Sequence, residues 1–115
     1  MTTDNEQSVI RTLVAQSHRL DELISYQEGA VVSRTIINKK SGTITLFAFD
    51  AGQGLSEHAT PYDALVQIID GEAKIAISNK AMRIKAGEIL ILPANEPHSL
   101  KASQRFKMIL TMLKS

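Results

Sequence analysis

The sequence predicts an all-β fold, either a sandwich or a barrel. Two observations carry this. From Val31 onward, segments of four to eight residues rich in valine, isoleucine, threonine and phenylalanine follow one another closely. Between them stand turn formers: Gly42, Gly52, Gly71, Asn79, Gly87 and Asn95. Short strands at that spacing characterise sandwiches and barrels rather than helical or parallel α/β folds.

The elements follow in chain order. The first ten residues are polar and loose. From Ser8 to Ile24, Val9, Leu13, Leu20, Leu23 and Ile24 fall roughly on one helical face, interrupted by His18 and Arg19. Asp21 is placed to cap a short turn containing Leu23 and Ile24. Residues 1–25 therefore form a partly helical extension, and residues 26–115 the β domain. "VVSRTII" and "TITLFAFD" are the first two strands, separated by "NKKSG". "DALVQIID" and "EAKIAIS" flank Gly71 and are expected to form a tight hairpin. "AMRI", "EILILP", "HSLKA" and "FKMILTML" complete the set.

Alternation assigns the faces. Ala73, Ile75 and Ile77 share one, and Glu72, Lys74 and Ala76 the other. The run "ILIL" has no polar face, so both sides are expected to be buried. The last strand is also largely apolar, which calls for cover by a helix or a second subunit. A homodimer is the expected state, with Ser25 to Ile37 available to pair with a neighbouring sheet. Met82, Met108 and Met112 read as core, His18 as a surface residue, and Arg34 as an edge, pocket or interface residue.

Composition narrows the function. A chain of 115 residues is one domain with a real core. Thirteen Lys and Arg against twelve Asp and Glu, with no basic run, speak against nucleic acid or an anionic membrane as partner. No cysteine is present, which excludes disulfides, thiol nucleophiles and Cys-ligated zinc. The start is acidic and polar rather than a signal-peptide core, and no apolar run approaches a membrane span. The expected compartment is the cytoplasm.

Two histidines draw attention. By alternation His58, Thr60, Ala64, Val66 and Ile68 face one side, provided the turn at Pro61 keeps register. His98, Leu100 and Ala102 share a face of a later strand. If both faces line one cavity, His58 and His98 meet inside it.

These residues carry a resemblance. Gly52, five residues, His58, and then Gly71 resemble the first signature of the cupin superfamily. Gly87, five residues, Pro93, Asn95 and His98 resemble the second. The short stretch between the signatures is similar to that of small single-domain bacterial cupins, and the likeness covers roughly Val31 to Leu113. It implies a double-stranded β-helix, or jelly-roll barrel. Metal-binding cupins offer two histidines and a glutamate from the first signature and one histidine from the second. In this chain Thr60 stands at the second histidine position and Ala64 at the glutamate position. Two of the four ligands are therefore missing.

Three functions remain open at this stage. The favoured one is a small-molecule pocket lined by His58, Thr60, Ala64, Val66 and His98. The second is a metal-dependent dioxygenase or isomerase, with a weakly bound divalent ion (Zn, Mn, Fe or Ni) on His58 and His98. Asp63 would be a weak further ligand. The third is a metal-free isomerase or epimerase, with a histidine base oriented by Asp63. Nothing in the sequence names a substrate or decides whether the chain is catalytic.

Overall fold

Gly71 is where the longest strand changes sheets. The computed structural model describes residues 13–114. Eight strands follow in order: β1 (Val31–Lys39), β2 (Gly42–Phe49), β3 (Gly54–His58), β4 (Asp63–Ile77), β5 (Lys80–Lys85), β6 (Ile89–Leu92), β7 (His98–Lys101) and β8 (Phe106–Leu113). All pairings are antiparallel. The first half of β4 joins β8 and β6, and β8 continues to β2 and β1. The second half of β4 joins β5 and β7, and β7 continues to β3.

The hairpin expected at Gly71 is not formed. β4 runs unbroken through it, with a register shift against β8 between Ile68 and Asp70. Gly71 does adopt positive φ, +76°, and a Cβ there would collide with the Arg105 carbonyl. A single left-handed residue cannot reverse a strand. It produces a bulge that bends β4 from one sheet into the other. The tight hairpin lies at Ser78–Asn79, where both φ angles are positive (48° and 69°), as a primed turn requires.

The core lies between the two sheets. Val66, Ile68, Ile75, Phe49, Phe106 and Met108 are essentially inaccessible. Phe49 stacks on Phe106 with centroids 4.5 Å apart. Each such side chain contributes about 1.5–3 kcal/mol on burial. The assigned hairpin faces hold: Ala73 and Ile75 are fully buried, while Lys74 is exposed.

Residues 1–12, including Val9 of the expected helix, lie outside the described residues. From His18 to Ile24 the chain is not an α-helix. It makes one 3₁₀ turn, Leu20–Glu22, without a side-chain cap from Arg19. His18 and Arg19 break the apolar face, and tertiary contacts decide the path instead. The segment forms a strap across the outer face of the larger sheet. Ile24 packs on Leu46 and Ala48, with Val32 and Ile109 beside them. Arg34 donates to the Leu23 carbonyl, Lys107 to the Asp21 carbonyl (2.6 Å), and Tyr26 to the Asp70 carboxylate. Burial and that last bond raise the Tyr26 pKa. Arg105 and Lys107 lie over its ring, at 4.5 and 4.9 Å.

The "ILIL" strand is buried on one side only. Leu92 is 3% exposed, whereas Ile89 and Ile91 are 60% and 61% exposed on the outer face. No helix of the described residues is long and apolar enough to cross a membrane.

Candidate functional site

β7 is an inner strand, flanked by β4 and β3, whereas β3 is an edge. That difference sets the fate of the two histidines. His98 opens β7 opposite Ile77 on one side and His58 on the other. It is buried, at 6% exposure, while His58 stays exposed. The rings meet edge to face, with centroids 4.4 Å apart and planes at 70°.

Two loops hold this pair, and they hold each other. The segment after β6 turns at Pro93–Asn95, with Asn95 at φ 69°. Asn95 N–H donates to the Thr60 carbonyl (2.7 Å), and Ala94 N–H to Asp63 Oδ1 (2.8 Å). Ser78 N–H donates to the Pro97 carbonyl (2.9 Å) just ahead of His98. Asparagine tolerates this left-handed conformation better than other residues with a side chain.

The hydrogen bonds fix the tautomers. His58 Nδ1 lies 2.8 Å from the Ser56 carbonyl, and His98 Nδ1 lies 3.3 Å from the Glu96 carbonyl. A carbonyl only accepts, so each Nδ1 carries the proton and each Nε2 presents a lone pair. Neither Nε2 has a protein partner among the described residues. No side-chain nitrogen or oxygen there is both buried and unpartnered, so the buried His98 keeps its Nε2 in reach of solvent. Burial pushes His98 below the ordinary imidazole pKa, and the neighbouring His58 adds to this. The Glu96 carbonyl opposes it. The balance lowers the proton affinity of His98 and favours its neutral form.

Of the other residues singled out in the sequence, Thr60 lies in the loop beyond β3 and donates its hydroxyl to the Tyr62 carbonyl (3.2 Å). Ala64 and Val66 face inward and join the core, at 5% and 0% exposure. Asp63 points outward and caps the Ala94 amide. The groups that orient the rings are backbone carbonyls, not Asp63. Sequence reasoning missed Ser56 and Glu96 in that role, and no side-chain pattern signals a carbonyl partner. Glu96 also accepts from Ser78 Oγ (3.2 Å).

Fold and site together define a two-sheet barrel with histidines from two signature segments at one end. The cupin domain family matches residues 45–113. The fold is similar to a conserved protein of unknown function from Streptococcus pyogenes: 33% identity, 88% of this chain and 89% of that one, TM-score 0.84. A cupin superfamily protein from Desulfitobacterium hafniense is 29% identical over 88% and 93%, with TM-score 0.83. A cupin 2 conserved barrel domain protein from Leptotrichia buccalis is 40% identical over 83% of this chain, which spans 46% of that one, with TM-score 0.80. No curated protein matches. The chain belongs to the cupin family and folds as its double-stranded β-helix barrel.

The metal-binding cupins that the chain resembles use three or four protein ligands. Among the described residues, no three His, Cys, Asp or Glu side chains gather to hold an ion. Zinc, iron and manganese sites draw on three protein ligands, and two imidazoles fall short. The donor set of the described residues does not fit a resident divalent metal.

Proposed function

We propose that this barrel binds a small molecule through its histidine pair, and that the ligand is a hydrogen-bond donor. One observation carries the reading. Two imidazoles meet at 4.4 Å, each with Nδ1–H committed to a backbone carbonyl, which leaves two Nε2 acceptors and no fixed donor. Two acceptors cannot satisfy each other. They suit a primary ammonium, an amine or a polyol, and they disfavour a carboxylate or phosphate while both rings are neutral.

Ring NMR shifts and thermal denaturation with ethanolamine, glucose and malonate at pH 8 test this. The donors should move the His58 and His98 resonances and raise the melting temperature, and His98→Ala should abolish both effects. Shifts with malonate alone would defeat the reading.

A second reading has one observation in its favour. A neutral, partly desolvated His98 can act as a general base, so a metal-free isomerase remains the alternative. Its orienting group would be the Glu96 carbonyl. Proton–deuterium exchange into a bound substrate would distinguish it from simple binding.

A further inference from the structure

One lysine stands on the wrong face of the smaller sheet. Direct antiparallel partners share a face, so register places Lys80, Ile77, His98 and His58 in one row across β5, β4, β7 and β3. The next row inward holds Met82, Ile75, Leu100 and Leu55, all packed into the core. The opposite face takes the other charges of these strands: Glu72, Lys74, Arg83, Lys85 and Lys101. Lys80 therefore belongs to the core-facing set of β5, with Met82 and Ile84, and it is exposed because it opens the strand. It makes no ion pair with any described residue. Glu96, beside the same turn, is engaged by Ser78 Oγ (3.2 Å). The turn before Lys80 is tied to the loop before His98, since Ser78 N–H donates to the Pro97 carbonyl (2.9 Å).

We infer that Lys80 sets the ligand class of the histidine site: a short ω-amino or ω-hydroxy carboxylate. Its donor group sits on the two Nε2 atoms and its carboxylate meets the Lys80 ammonium. This rests on the reading that the histidine pair binds a hydrogen-bond donor, and it narrows that reading.

The order of side chains along the row carries the inference. A cation stands on β5, apolar Ile77 on β4, and the two ring acceptors on β7 and β3. The complementary ligand, read in the same order, is an anion, an aliphatic spacer and a donor. Adjacent strands lie about 4.8 Å apart, so Lys80 and His98, two strands apart, have backbones about 10 Å apart. The side chains fill part of that distance, which leaves a spacer of a few methylenes. Charge excludes the simpler ligands. A plain amine is repelled by the Lys80 ammonium, a plain polyol gains nothing from it, and a dicarboxylate sets one of its ends against two lone pairs.

Titrations at pH 8 and low salt with 4-aminobutanoate, butylamine and butyrate test this, followed by NMR of the His58 and His98 rings. Wild type should bind 4-aminobutanoate at least about threefold more tightly than butylamine, the scale of a solvent-exposed ion pair. Lys80→Met should erase that preference without weakening butylamine. Lys80→Glu should invert it, so that 1,4-diaminobutane binds more tightly than 4-aminobutanoate. Circular dichroism should be unchanged in both variants, because residue 80 is exposed beside a turn. Equal binding of 4-aminobutanoate and butylamine to wild type would overturn the inference and leave the histidine pair as a donor site. So would a preference that survives in Lys80→Met. Ring shifts with butyrate alone, or with none of the amines, would remove the donor reading and the inference with it.

Discussion

His58 and His98 are direct cross-strand partners, one on an edge strand and one on an inner strand, with ring centroids 4.4 Å apart. The inner ring is the perturbed one. His98 should titrate below the ordinary imidazole value of about 6.5. In His58→Gln it should move upward, because one of the two lowering causes is removed while burial remains. Proton NMR of the ring carbons against pH reads this directly. An unchanged or lower value in the variant would contradict the coupling.

The same shift predicts a stability profile. The folded state holds His98 below its unfolded pKa, so the unfolded chain binds more protons at acid pH. This contribution is fully present above about pH 6.5 and is lost as pH falls through the lower folded value. Chemical denaturation of wild type and His98→Gln should therefore diverge in slope below about pH 6.5 and run parallel above it.

The missing ligands can be put back. Thr60→His with Ala64→Glu should raise zinc or manganese affinity by roughly two orders of magnitude or more over wild type, since three to four protein ligands replace two. Calorimetry measures it. A double variant no tighter than wild type would show that positions 60 and 64 do not address the space beside the histidines.

The bend in β4 depends on Gly71. Gly71→Val should destabilise by at least about 1–3 kcal/mol, because it adds a left-handed β-branched residue to a Cβ collision with the Arg105 carbonyl. Urea denaturation reads the loss.

The strap is tied by packing more than by its own helicity. Ile24→Ala should cost about 2–4 kcal/mol, because Ile24 is 5% exposed against Leu46 and Ala48. The His58 and His98 resonances, on the other sheet, should stay in place.

Some of this was written plainly in the chain. Strand positions were legible because β-branched runs and turn residues alternate sharply from Val31 onward. The histidine pairing was legible through the resemblance of the Gly52–His58 and Gly87–His98 segments to the two cupin signatures. Gly71 misled, since a glycine between two apolar runs marks either a hairpin or a bulge, and the choice rests on which distant strands pair with each half. The 18–24 segment misled because roughly helical spacing of Leu20, Leu23 and Ile24 also serves a strap with one buried isoleucine. Proximity in sequence makes Asp63 a candidate ligand or orienting group. Its outward place on β4 gives it to the Ala94 amide instead.

The account turns on which nitrogen of each ring carries the proton. Nitrogen-15 NMR of the histidine side chains at pH 8, before any ligand is added, answers that for both residues at once. The account predicts Nδ1 protonated and Nε2 bare in His58 and in His98, a two-acceptor site. A proton on either Nε2 would make the pair a donor–acceptor couple able to satisfy itself, and would contradict it.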